Sequence, residues 1–219
     1  MTKKLYDDFI KFAKDRKGVN SIFLDKYFQN MTRYIIEERP TRFREVDVFS
    51  CLIRDRIIFL GTEIDAPTAN TIIAQLLYLA SMGDDRISLY INSPGGSVYD
   101  GLAIYDTMQF IKPVVETVSM GLSASMAAVI LASGEKTMRY ALPHSRVMIH
   151  QPLGEARGQA TEIEIRYKQI ESIKKEIYEI LEKHTGQNIE KIRIDSERDH
   201  WLTAQEAKDY GIIDDVYEI

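Results

Sequence analysis

Ile87-Ser-Leu-Tyr-Ile91, then Asn92-Ser-Pro-Gly-Gly96, then Val98 through Phe110, then residues 114–119: this stretch reads as strand, glycine turn, helix, strand. Ile87, Leu89 and Ile91 give an apolar strand too short to be a helix of ordinary length. Asn, Pro and two adjacent glycines cannot extend that strand and mark a turn. Beyond it, Val98, Leu102, Tyr105 and Met108 recur at three- and four-residue steps, the period of a helix with one apolar face. Working outward, the order repeats. Upstream, residues 56–60 form an apolar strand closed by Gly61, and Asp65 caps a helix with Pro67 in its first turn that runs through Ile72, Leu76 and Leu79. Downstream, Gly121 is expected to break the third strand. Residues 126–133 form a small-residue helix suited to complete burial, and residues 146–150 form a further strand after Pro143. Strands alternating with helices predict an α/β fold of βαβ units, with right-handed crossovers and largely parallel pairing. In such sheets ligands gather at the carboxyl ends of strands, where both the Gly95-Gly96 turn and the segment Gly121 to Ser125 lie.

The flanks differ from this centre. Leu5, Phe9, Ile10 and Phe12 among lysines and aspartates predict one short amphipathic helix ending near Gly18. Residues 27–45, with Pro40 and many charges, read as a loop or arm outside the core. Toward the C-terminus, Ile163, Tyr167, Ile170, Ile173, Ile177 and Ile180 define a long helix over 161–184, closed by His184 and Gly186. These apolar positions spread over a broad face, more than one subunit would be expected to cover. Thr203 and Glu206 form a capping box for a last short helix ended by Gly211.

Composition narrows the function. The chain has 219 residues, 45% of them hydrophobic, enough for one domain with a sizeable core. With 28 Lys+Arg against 33 Asp+Glu the net charge is -5, and no basic block favours nucleic acid. The single cysteine, Cys51, excludes an intrachain disulfide and reads as an apolar filler beside Phe49 and Leu52. The histidine spacing indicates no metal site. No secretory h-region or membrane-length apolar run is present, which predicts a cytoplasmic protein without a membrane partner.

A serine becomes a nucleophile when a base takes its proton, a third group holds that base, and fixed donors receive the oxyanion. Gly121-Leu-Ser-Ala-Ser-Met-Ala-Ala128 sets a serine at the start of a helix, where backbone N–H groups and positive potential converge. Either Ser123 or Ser125 fits this reading, and either also fits a plain helix cap. The segment is not a G-x-S-x-G elbow, since position 125 is itself serine. His150 ends an apolar strand and points to the same sheet edge; histidine is the side chain whose ordinary titration range suits a base at neutral pH. His144 in a turn, His184 at a helix end and His200 in a charged loop are weaker candidates. The run Asp195-Ser-Glu-Arg-Asp199 supplies acids, but pattern alone does not choose among Asp195, Glu197 and Asp199 and reads equally as a solvated charged stretch. Asn92-Ser-Pro-Gly-Gly96 lets backbone N–H groups approach a ligand closely, or simply makes a tight turn.

The runs INSPGG, IYDTMQFIKP, SASMAA, LPHSRVMIHQP, GQATEIEI and ERDHWLTAQEA closely resemble the ClpP family of proteolytic subunits, over about residues 47–216. The resemblance implies the ClpP/crotonase-type spiral of βαβ units, with a protruding strand–helix handle at about 154–184. It implies a serine endopeptidase with Ser125 as nucleophile, His150 as base and Asp199 as orienting acid. It further implies Gly96 and Met126 as oxyanion-hole amides, and Val98 and Leu153 as residues that align substrate as an added strand. Tyr90 and Phe110 match the aromatic pattern of a docking cleft, in which Ser88 stands where an aromatic is frequent. The implied assembly is two stacked heptameric rings of this chain, a tetradecamer fed unfolded polypeptide by an AAA+ unfoldase of the ClpX, ClpA or ClpC class. ATP is then used by that partner, and this subunit carries no cofactor. Residues 1–30 become an N-terminal extension or removable propeptide, 31–46 an axial-loop-like arm, and 47–219 the protease domain. Two other readings share part of this pattern. A crotonase-type acyl-CoA enzyme would use carboxylates where this chain has serine and histidine, and a non-catalytic ring subunit would lack members of the triad.

Overall fold

The computed structural model describes residues 34–218 apart from 40, 41, 155 and 156, with backbone only for 34–39 and 42–47. The proposed helix near the N-terminus and the propeptide reading of residues 1–30 lie outside the described residues. The chain divides into two units, residues 1–51 and 52–219. In the first, β1 (Tyr34–Arg39) and β2 (Arg42–Asp47) pair antiparallel, with Tyr34 opposite Asp47 and Arg39 opposite Arg42. The loop expected here is thus a hairpin. Its charges do not oppose strand formation, because Tyr34, Ile35, Ile36, Phe43 and Val46 supply β-branched and aromatic residues and a two-stranded ribbon leaves faces open to water. Helix α1 (Val48–Arg54) follows, unanticipated by the sequence pattern, and Cys51 on it is half-buried instead of buried.

The second unit carries the expected α/β order: β3 (Ile57–Leu60), α2 (Ala66–Met82), β4 (Ile87–Ser93), α3 (Val98–Phe110), β5 (Val115–Ala124), α4 (Met126–Ala132), β6 (Arg139–Ala141) and β7 (Arg146–Ile149). Then come α5 (Ala160–Thr185), α6 (Ile189–Asp195), β8 (His200–Thr203), α7 (Ala204–Tyr210) and β9 (Asp215–Val216). Strands β3, β4, β5, β6 and β9 pair in that order, all parallel. Asp65 caps α2 through the Thr68 amide at 2.9 Å, and Thr203 with Glu206 caps α7, both as the sequence predicts.

One expectation fails in an informative way. Gly121 does not end β5; at φ 92 it bends a strand that continues to Ala124. The bend divides the pairing. Thr117–Ser119 pair with β6, whereas Leu122, Ser123 and Ala124 pair with Arg146, Val147 and Met148 of β7. A left-handed backbone at glycine costs little, so one strand can serve two neighbours in succession. That turning sheet carries the core: every residue of α4 is buried, packed with Leu89, Ile91, Ile104 and Val147. Ala127, Ala128 and Ala132 let the helix approach closely enough to be enclosed on all sides.

Helix α5 splits by halves. Ile173, Ile177, Tyr178, Ile180 and Leu181 are buried in the subunit, while Ile163, Ile165 and Tyr167 are exposed. The strand expected to begin the handle is not formed by the described residues between 154 and 159; the helix starts at Ala160. A strand needs a ladder partner for its backbone groups, and this segment has none within its own chain among the described residues.

Candidate active site

Ser125 sits at the junction of β5 and α4, where the chain must turn from the sheet into a buried helix. It adopts φ 55 and ψ -125, one of only three non-glycine residues with positive φ among the described residues. Such a conformation costs on the order of 1–3 kcal/mol for a residue with a Cβ and is held only by surrounding bonds. Those are present: the Ser125 amide donates to Met148 O at 2.8 Å, and its carbonyl accepts from the Ala128 amide at 3.0 Å. Although Ser125 occupies the N-cap position, its hydroxyl makes no capping bond. It instead lies 2.8 Å from His150 Nε2. Ser123, the other candidate, is fully buried with its hydroxyl 2.7 Å from Ser119 Oγ. Of the two serines, Ser125 is the one whose hydroxyl lies against a histidine among the described residues.

His150 follows β7 directly and is largely enclosed, its side chain 15% exposed. Its Nδ1 lies 3.1 Å from Asp199 Oδ1. The two meet because β7 and β8 run antiparallel with Ile149 opposite His200, so the next step along the register sets His150 against Asp199. His200 is thus the first residue of a strand and not part of a charged loop. Asp195 is engaged elsewhere, by Lys191 at 2.6 Å and by the Tyr210 hydroxyl at 3.0 Å. Burial works to raise the Asp195 pKa, but those two bonds prevail and hold it below its ordinary value.

Gly95 and Gly96 back onto this junction. A Cβ on Gly95 would fall 2.5 Å from Ala124 O and 2.7 Å from Ser125 Cβ, and one on Gly96 would fall 2.2 Å from Ile64 O. Gly95 O accepts from the Ile64 amide and the Ser97 amide donates to Ile64 O, both at 2.8 Å. The intervening Gly96 N–H therefore points to the opposite side of this parallel bridge. Met126 is the first residue of α4, so its N–H has no intrahelical acceptor. A serine in contact with a histidine that itself meets a carboxylate is an arrangement suited to acyl transfer.

The family model for Clp protease matches residues 39–219. The chain belongs to the Clp protease family. An ATP-dependent Clp protease proteolytic subunit of Bacteroides fragilis (strain YCH46) is 55% identical over 215 residues, covering 96% of this chain and 98% of the relative. Proteins of the same description from Bacteroides thetaiotaomicron and Porphyromonas gingivalis are 54% and 53% identical, covering 96% and 97% of this chain and 98% of each relative. The protein is a serine peptidase of the Clp class, and its mixed α/β sheet is the architecture of that family. The family match and the relatives' description as proteolytic subunits favour the protease reading over the acyl-CoA and non-catalytic ones.

The Clp-family peptidase has an apolar recess beside Ser125 and His150, lined by Val98, Val129, Pro152, Ile177 and Leu181. It shares Val98 and Pro152 with a larger cleft of about 320 Å³, in which Val98 and Leu153 stand together with Tyr99, Ile170 and Ile173. Val98 is half-buried and Leu153 is 84% exposed. Elsewhere, Tyr90 is half-buried on β4 and Phe110, at the end of α3, is 82% exposed. Ser88 donates to the Glu116 carboxylate, which also pairs with Arg86 at 3.2 Å. A cleft of about 410 Å³ lined by Lys112, Arg139, Lys183 and His184 contains none of Ser125, His150 and Asp199. His184 is bonded to the Tyr105 hydroxyl at 3.2 Å; burial, then the Lys183 and Arg139 charges, lower its pKa to about 4. Among the described residues no group of three or more acidic, histidine or cysteine side chains is placed to hold a metal, and no helix is long and apolar enough to cross a membrane. The sequence pattern gave no sign of Lys174, Ile177 or Leu181 as neighbours of the site, because all three lie on α5, whose approach depends on how that helix folds back.

Proposed function

We propose that this chain hydrolyses peptide bonds of unfolded polypeptides with Ser125 as nucleophile, His150 as general base and acid, and Asp199 as the group that orients the imidazole. The observation that carries the reading is the chain of contacts Ser125 Oγ to His150 Nε2 at 2.8 Å and His150 Nδ1 to Asp199 Oδ1 at 3.1 Å. Ser125 Oγ adds to the scissile carbonyl carbon while its proton passes to His150 Nε2, and the Gly96 and Met126 N–H groups receive the oxyanion. Collapse breaks the C–N bond, and His150 gives the proton to the departing amine. Water activated by the same imidazole then attacks the acyl-enzyme and restores Ser125. Val98 and Leu153 flank the cleft where substrate backbone adds as a strand, and the apolar recess receives a side chain of the substrate.

The relatives are named ATP-dependent. This supports an ATPase partner for the present chain, an AAA+ unfoldase of the ClpX, ClpA or ClpC class that docks through Tyr90 and Phe110 and consumes the ATP. The subunit itself needs no cofactor. The exposed half of α5 supports the handle of two stacked heptameric rings in the cytoplasm. Residues 1–30 are an extension or propeptide, and the hairpin falls in the axial-loop arm. The deciding experiment is hydrolysis of a short fluorogenic peptide by Ser125→Ala and Ser123→Ala. The expected result is a loss on the order of 10⁶ in turnover for the first and activity retained by the second. An active Ser125→Ala chain refutes the reading.

A further inference from the structure

Asp199 orients the base from a weak footing. Its side chain is 59% exposed, and among the described residues its carboxylate has no hydrogen bond other than the one to His150. An acid so placed needs its backbone held by something else. The turn that carries it, residues 196–199 between α6 and β8, is gripped by the residue after the base. The Gln151 amide donates to Ser196 O at 2.6 Å, and the Gln151 side-chain Nε2 donates to Glu197 O at 3.0 Å. Main chain and side chain of one residue thus take hold of two consecutive carbonyls just ahead of Asp199. The other end of the same amide is also used: Lys174 Nζ donates to Gln151 Oε1 at 3.0 Å. An ammonium on the amide oxygen draws charge from the nitrogen and strengthens its donation to Glu197 O. Lys174 is placed by its neighbours on α5, with Ile173 and Ile177 buried in the core.

We infer that Gln151 is a positioning residue that holds the Asp199 turn in register with His150, and that Lys174 on α5 sets the Gln151 amide. The inference rests on the triad reading above and adds a route by which α5 acts on the base–acid pair without touching it. The β7–β8 register brings the acid opposite the base, but its pairing stops at His200 and so does not itself hold the turn at Asp199. A turn free to shift by about 1 Å would misalign the imidazole, which typically costs on the order of 10²-fold in rate.

The test is a mutant cycle on the assembled enzyme, with sedimentation velocity and thermal midpoint followed throughout. Gln151→Ala is expected to lower kcat by roughly 10- to 100-fold with KM changed less than about 2-fold. In an Asp199→Asn background, where the acid no longer orients the base, Gln151→Ala should lower the rate of Ser125 labelling by a fluorophosphonate less than about 2-fold further. Gln151→Glu keeps an acceptor for Lys174 but has no donor for Glu197 O, so it should fall with Gln151→Ala. Lys174→Met should lose less than either. Should Gln151→Ala fail to assemble, Gln151→Glu and Lys174→Met decide by the same readouts. A wild-type kcat in Gln151→Glu, or equal losses with and without Asp199, overturns the inference. A failure of the triad reading itself would show differently, as an active Ser125→Ala enzyme.

Discussion

Single residues in this protein carry consequences out of proportion to their size. Gly95 is the sharpest case. At φ 87 with a Cβ position 2.7 Å from that of Ser125, it admits no side chain without moving the nucleophile. Gly95→Ala is expected to lower kcat at least about 10-fold by displacing Ser125 from its bonded geometry. Gly83→Ala, at φ 150 with nothing within 4 Å, strains the backbone but should leave kcat unchanged. Steady-state kinetics of the two variants checks this. Tyr178 gives the opposite kind of prediction. Among the described residues its buried hydroxyl has no hydrogen-bond partner, and burial, with Glu197 adding to it, raises its pKa. Removing an unpaired buried hydroxyl relieves a penalty of about 1–3 kcal/mol. Tyr178→Phe should therefore raise stability by about 1 kcal/mol in urea unfolding, and a destabilised variant would contradict the geometry. His184 sets a pH window. Its folded pKa of about 4 lies below the ordinary 6.5, so the unfolded chain binds the proton first as pH falls. Its contribution to stability is complete above pH 6.5 and is lost on descent toward about 4. Asp195 and Asp214 act only lower, below the ordinary 3.8 from which each is depressed. Thermal midpoints across that range should fall less steeply in His184→Gln than in the wild type.

At the scale of elements, α5 is two helices in one. Its C-terminal half is an ordinary core helix, and its N-terminal half presents Ile163, Ile165 and Tyr167 with 41%, 63% and 59% of their surfaces exposed. The sequence pattern gave Ile170 and Ile173 the same standing as Ile163, but the fold separates them. Ile173 is buried in its own subunit, and Ile170 packs on Gly154, where an added Cβ would meet it at 2.5 Å. The residues available to another copy are those nearer the start. Ile165→Glu should therefore give smaller particles and lower peptidase activity, since an unpaired carboxylate buried at a symmetric contact costs several kcal/mol at every copy. Sedimentation velocity beside peptide hydrolysis tests it. Wild-type particles with wild-type turnover would show that this stripe is not an assembly surface.

Over the whole second unit, Arg139 acts as a tie between elements far apart in sequence. It is 4% exposed, and its guanidinium donates to Asp214 at 2.6 and 2.9 Å and to the carbonyls of Ala132, His184 and Gly211. The ends of α4, α5 and α7 thus meet one cation. Burial works to raise the Asp214 pKa, but Arg139 prevails and keeps it below the ordinary value. Arg139→Met leaves Asp214 and three carbonyls without that donor, and a loss of about 3–5 kcal/mol is expected for breaking such a buried pair. Chemical denaturation measures it; a loss within about 1 kcal/mol would show that the contacts contribute little.

The sequence by itself determined the alternation of strands and helices, because apolar spacing, glycine turns and caps act over a few residues. Asp65, the glycines after β4, the burial of α4 and the capping box at Thr203 were all legible on that ground. Tertiary structure decided what depends on distant partners. Gly121 reads as a strand end, yet β5 passes through it because β6 and β7 offer successive pairings. Residues 200–203 read as charged loop and cap, yet β7 makes them a strand. Local pattern left Ser123 beside Ser125, and Asp199 beside Asp195 and Glu197. The resemblance named one of each, but only the fold supplies the physical reason. A side chain's chemistry is written in its residue type, whereas its partner is fixed by register and packing across the sheet, which no local pattern contains.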